Sequence, residues 1–179
     1  MKNILLVMDM QHGLVNTKEK EQLSERIIEL THKHIFDRVI CARFVNRDDG
    51  VFPEFHHYYD MHTGKEIELV DGLTADLVIP RSVYSCVTED FITKLAKIND
   101  GNRVREIFIC GIGTDTAILK TSLDFFEKKV RPIVLTNYCL TYDNEEKSQK
   151  RAIKLMNKLM GEKTICKKDI NSIDDLKIK

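Results

Sequence analysis

The sequence predicts a three-layer α/β/α domain on a mostly parallel, six-stranded, Rossmann-like sheet. Short apolar, β-branched runs alternate with longer amphipathic stretches almost to the end of the chain. A glycine-rich turn around Gly111 and Gly113 joins one strand directly to a helix. The 179 residues suit one domain, and no repeat or linker rich in Pro, Gly or Ser divides them. Residues 1–170 are expected to form that domain, and the charged stretch 171–179 a loose tail.

Each element has a local reason. Ile4–Met8 is an unbroken apolar run that stops at Asp9, which reads as a buried strand. Lys18–Lys33 carries Leu23, Ile27, Ile28 and Leu30 at helical spacing. Val39–Val45 is the second strand. From Asp48 to Asp76 the chain is irregular, punctuated by Gly50, Pro53, Gly64 and Gly72. Leu77–Pro80 is a short strand, and Thr88 is placed to cap a helix running to Asn99. Ile107–Gly111 is a strand that runs into a helix over Thr114–Lys128. A strand at Ile133–Thr136, a helix at Asn144–Met160 and a last short strand at Thr164–Cys166 complete the order. The crossovers should be right-handed.

Composition narrows the function classes. The formal charge is zero, so the chain as a whole attracts neither nucleic acid nor an anionic membrane. No apolar run approaches the ~20 residues of a membrane span. The run from Ile4 to Met8 is too short for the apolar core of a signal peptide. The cysteine count is odd, five, with no CxxC pair, which points to buried thiols in a reducing cytosol. A cytoplasmic location is the expectation.

In parallel sheets of this kind, ligands sit beyond the carboxyl ends of the strands. Asp9 ends the first strand, with Gln11 two residues on, and is either a general base or a turn cap. Phe44 and Asn46 follow the second strand. Arg81 follows the third, ahead of Tyr84 and Ser85, and is placed to pair with Asp9, to hold an anionic substrate, or to lie solvated at the surface. Ile112, Gly113, Thr114, Asp115 and Ala117 form the glycine-rich turn and helix start, whose free N–H groups suit an anion or a developing oxyanion. A dinucleotide fingerprint does not fit. Gly111-x-Gly113-x-x-Thr116 follows a late strand, ends in Thr and lacks the acid expected about 20 residues later.

Taken in order, Asp9-x-Gln11, a cation before Tyr84-Ser85, and Gly-x-x-Thr114-Asp115 ahead of a helix resemble the isochorismatase-like cysteine hydrolases. Phe44-Val45-Asn46 and Asn137-Tyr138-Cys139 add to the likeness, which runs from Met1 to about Ile170. The resemblance implies the isochorismatase-like hydrolase fold and a catalytic set of aspartate, lysine and cysteine. Asp9 matches the aspartate, Arg81 stands at the lysine position, and Ala117 stands where the nucleophilic cysteine belongs. It also implies a cis peptide at Ile112-Gly113 that helps form the oxyanion hole.

Both departures bear on chemistry. A methyl group cannot attack a carbonyl, and arginine keeps the charge but is a poor proton carrier. The expected function is therefore a small-amide hydrolase scaffold that is inactive with Ala117, either a natural pseudoenzyme or a Cys-to-Ala variant. Two alternatives remain: a regulatory protein that binds a small anion through Arg81, and an interaction module with a vestigial pocket. Cys86 and Cys139 are weighed as rescue nucleophiles, although neither stands at the helix start that would activate a thiol. No cofactor and no metal are expected. The metal-binding Asp-x-His set of nicotinamidases has no counterpart after Asn46, and His56, His57 and His62 fit no zinc spacing. With Tyr58 and Tyr59 those histidines are expected to form a lid over the pocket. The partners implied are a small molecule and, from the resemblance, further copies of the chain in a homo-oligomer.

Overall fold

The computed structural model describes residues 2–178. One sheet runs in the order β3-β2-β1-β4-β5-β6, and every strand pairing in it is parallel. The strands are β1 (Ile4–Met8), β2 (Arg38–Phe44), β3 (Leu77–Arg81), β4 (Glu106–Ile112), β5 (Arg131–Leu140) and β6 (Ile165–Cys166). The helices are α1 (Lys18–His32), α2 (Glu89–Ile98), α3 (Ala117–Glu127) and α4 (Glu146–Met160). The chain adds strands in one direction from β1 and in the other from β4. Right-handed crossovers therefore send α1 to one face and α3 and α4 to the other. Phe91 of α2 meets Phe125 of α3 edge-on, with centroids 6.0 Å apart.

That reversal leaves a crevice between the carboxyl ends of β1 and β4, the usual ligand position in such sheets. Two backbone features shape it. Asp9, just past β1, holds a left-handed φ of 59° while its N–H donates to the Ala42 carbonyl. Gly111 holds φ 125°, and a Cβ there would lie 2.1 Å from the Met8 carbonyl oxygen. Only glycine lets β4 press this closely on β1.

The strands β1 and β4 are almost wholly buried, as their unbroken apolar runs predict. Thr17 caps α1 and Thr88 caps α2, each accepting a backbone N–H from the first turn of its helix. All five cysteines are buried and free.

The largest departure from the sequence expectation is β5. It continues four residues past Thr136, to Leu140. Its register with β4 jumps from Ile109↔Val134 to Gly111↔Cys139, so residues 135–138 bulge out opposite Cys110. Inside the bulge the Thr136 hydroxyl donates to the Cys166 carbonyl, 3.0 Å, and the Tyr138 hydroxyl accepts the Ile170 N–H, 3.1 Å. These polar residues pair with the chain end, which alternation alone does not reveal. Helix α3 starts at Ala117 rather than Thr114, because Thr114–Thr116 complete the turn first. Beyond residue 170 the chain makes a 3₁₀ turn at Ile173–Leu176, and Leu176 is buried. Among the described residues no helix is long and apolar enough to cross a membrane.

Candidate functional site

Asp9 and Arg81 meet at the strand ends, both buried. The guanidinium grips the carboxylate with two prongs. Nε donates to Oδ1 at 3.2 Å and Nη2 donates to Oδ2. Nη1 donates to the Val83 carbonyl, and the Phe44 ring centroid lies 5.1 Å from the guanidinium carbon. Burial works against this charge, yet Asp9 holds the guanidinium above its usual pKa.

A third residue closes the set. The Tyr142 hydroxyl donates to Asp9 Oδ2 and receives Arg81 Nη2 at 3.3 Å. Its ring lies over the glycine turn, where a Cβ on Gly113 would come within 2.8 Å of Tyr142 Cε2. Both carboxylate oxygens of Asp9 are thus engaged, and a phenol ring fills the space in front of Gly113. The sequence reading missed Tyr142 because it ended β5 at Thr136. Tyr142 lies two residues beyond the true end of that strand, where ligand-facing side chains belong.

Tyr142 makes stability depend on pH. Burial, then the Asp9 carboxylate, push its hydroxyl well above the ordinary phenol value of 10.0. The folded state favours the neutral phenol, so this contribution is intact below pH 10 and is lost as pH rises through 10 toward the higher folded pKa. One unit above that point, wild type is expected to have lost about 1.4 kcal/mol more than Tyr142→Phe, relative to neutral pH. Denaturant unfolding of both proteins at stepped alkaline pH measures this. Parallel curves would remove Tyr142 from the linkage.

The helix-start side of the site differs from expectation. No peptide bond among the described residues is cis, so Ile112-Gly113 is trans. Gly113 turns the chain instead with a φ of 91°. The N–H groups of Gly113 and Thr114 both donate to the Leu140 carbonyl, at 2.8 and 3.2 Å. They fasten the turn to the end of β5 and do not point at an oxyanion. Ala117 has no exposed surface and packs in the core. Thr114 is fully buried, and its hydroxyl and Asp115 Oδ1 lack hydrogen-bond partners. Burial raises the Asp115 pKa.

A cavity of about 590 Å³ opens at these strand ends. Its walls include Phe44, Phe52, Tyr58, Tyr84 and Tyr142, with His56 from the irregular segment. The rings brace one another, with Phe44–Phe52 centroids 4.9 Å apart and Phe52–Tyr84 centroids 5.0 Å apart, both edge-on. Arg81 lines the cavity too, and Thr116 is the residue of the glycine-rich turn that reaches it. Of the lid expected from the irregular segment, His56 and Tyr58 line the cavity, while Tyr59 is exposed.

Gln11 and Asn46, both expected in the pocket, are instead engaged by backbone. The Gln11 amide donates to the carbonyls of Phe44, 2.8 Å, and Ile67, 3.0 Å, and its Oε1 accepts the Phe44 N–H. The Asn46 amide donates to the carbonyls of Tyr58, 2.8 Å, and Asp60, 3.1 Å. Each amide fastens the irregular segment to the sheet. Cys86 and Cys139 do not line the cavity. Burial pushes both thiols up to about 12, which removes them as nucleophiles.

The residues do not fit a metal. Among the described residues no three His, Cys, Asp or Glu side chains stand together as ligands. The Asn46 amide is engaged, and His62 lies 3.4 Å from an Asp48 carboxylate that is almost fully exposed.

Comparison with known proteins adds the lineage. The model of the isochorismatase domain matches residues 3–168. No curated protein matches the chain. An isochorismatase-like hydrolase from Alkaliphilus metalliredigens superposes with a TM-score of 0.76 at 12% identity, covering 98% of this chain and 97% of that one. A nicotinamidase/pyrazinamidase from Bacillus subtilis gives 0.74 at 17% identity, with 93% and 100% covered. An N-carbamoylsarcosine amidase from Thermoplasma acidophilum gives 0.70 at 16%, with 88% and 94% covered. At such identities the likeness is one of fold. The family model spans nearly the whole sequence, and by that match the chain belongs to the isochorismatase domain family.

Proposed function

We propose that this protein binds a small organic molecule on a hydrolase scaffold and does not turn it over by thiol chemistry. One observation carries the reading. The carboxylate that would serve as base is gripped by Arg81 and capped by Tyr142, and position 117 offers a methyl group. Three hydrogen bonds from Arg81 and Tyr142 occupy most of that carboxylate's accepting positions and make it a poor base, and a methyl group has no electron pair to give. The aromatic cavity remains large enough for a small metabolite.

A second reading is a cysteine hydrolase disabled by a single Cys-to-Ala change. It is favoured by the turn itself, in which Gly111 and Gly113 keep left-handed conformations that fix the start of α3. Arg81, which stands at the lysine position, weighs against it, because a single substitution at 117 would not bring that second change with it.

Thermal-shift screening of small metabolites, with mass spectrometry of the same mixtures, tests the first reading. Saturable stabilisation with no product is expected. Turnover of any amide or vinyl ether by the unaltered chain would overturn it.

A further inference from the structure

Of the roles open to Arg81, the structure shows the pairing with Asp9. The Arg81 charge is matched by Asp9 at bonding distance, so the pair presents almost no net charge to the cavity. One other lysine or arginine lines the same space. Lys20, in the first turn of α1, is only 5% exposed, yet forms no ion pair. Its ammonium donates to a neutral partner, the Asn16 side-chain carbonyl, at 3.2 Å, and Asn16 also lines the cavity. A buried ammonium with one amide contact keeps two donor positions and most of its charge unanswered.

Among the described residues no nearby acid stands at bonding distance from it. Glu66, on the cavity wall, turns its carboxylate onto the N–H groups of His62 and Thr63. Asp143 attracts Lys20 from a distance, but its oxygens are engaged by Thr141, Ser148 and the Glu145 N–H. Asp60 is exposed.

We infer that Lys20, held by Asn16, is the anion anchor of this cavity, and that the ligand is a flat, unsaturated molecule with a single negative group. The ammonium supplies the countercharge, and the braced rings of Phe44, Phe52 and Tyr84 supply flat apolar walls. The inference rests on the binding reading above and assigns its ligand class.

Calorimetric titration tests it with benzoate and 2-naphthoate, each paired with its neutral amide. The proteins are wild type, Lys20→Met and Lys20→Arg, with unfolding midpoints as the check on folding. Wild type is expected to prefer each anion over its amide by roughly tenfold or more, the worth of one charge-assisted hydrogen bond. Lys20→Met should abolish that preference while still binding the amides, and Lys20→Arg should restore part of it. If the anion preference is absent in wild type, or survives in Lys20→Met, the anchor assignment falls and the binding reading stands. If none of the four compounds binds wild type, the ligand class assigned here falls, while the binding reading is decided separately by the metabolite screen. If Lys20→Met does not fold, loss of preference in Lys20→Gln decides the matter in the same way.

Discussion

Ala117→Cys alone is expected to hydrolyse amides and vinyl ethers no faster than the wild-type background, while Ala117→Cys with Arg81→Lys and Tyr142→Phe gains turnover roughly 100-fold above that background. The reason lies in what surrounds position 117. A thiol there enters a site with no exposed surface. Burial raises a thiol pKa, as it does for Cys41, Cys86 and Cys139, all pushed up to about 12. The start of α3 counters that in part, but a free base and an adjacent cation are needed as well, and here the cation is bound to the base. Tyr142→Phe removes one hydrogen bond from Asp9, and Arg81→Lys exchanges a two-pronged grip for a point charge. A base returned to service contributes about 10²–10⁴ in rate. Thiol-reactive dye gives a second readout. The buried cysteines of wild type should stay unlabelled in the native state, Ala117→Cys should behave the same, and the triple variant should gain one reactive thiol. Hydrolysis by Ala117→Cys alone would show that Arg81 and Tyr142 do not restrain Asp9. The protein would then be a cysteine hydrolase lacking only its thiol.

The fold was legible because the parallel sheet demands continuous apolar runs, and β1, β2 and β4 supply them. The meeting of Asp9 and Arg81 was legible for a similar reason, since Asp9 follows β1, Arg81 ends β3, and strand ends share one edge of the sheet. Other features could not be read from local pattern. The second half of β5 is polar and bulged, and its partners lie about 30 residues on, at Cys166 and Ile170. Tyr142 was hidden behind that misplaced strand end. Gln11 and Asn46 stand where pocket residues belong, but an amide can satisfy backbone as readily as ligand, and only the path of residues 58–69 decides which. Lys20 lies on a helix whose exposed face carries Lys18, Glu19 and Glu21, so nothing in spacing marks it as buried.

The buried pair sets the largest expected stability effect, and the chain offers a clean way to measure it. Asp9 sits at φ 59°, where most residues are strained and asparagine is tolerated nearly as well as aspartate. Asp9→Asn therefore removes the charge without changing the backbone preference. It leaves Arg81, with a side chain 2% exposed, as an uncompensated buried cation. The expected cost is about 3–5 kcal/mol. For a chain of this length that lowers the melting temperature by roughly 6–20 °C. Arg81→Met should cost a similar amount, because it leaves the Asp9 carboxylate with the Tyr142 phenol alone. The double variant has no buried charge to compensate and should be more stable than either single one, with a coupling energy of about 3 kcal/mol or more by denaturant unfolding. The penalty should change little between low and high salt, since screening does not reach a pair closed off from water. Single variants costing less than about 1 kcal/mol, or costs that simply add, would mean that water reaches the pair. Asp9 would then be open enough to act as a base, and binding without reaction would no longer follow from the geometry of the pair.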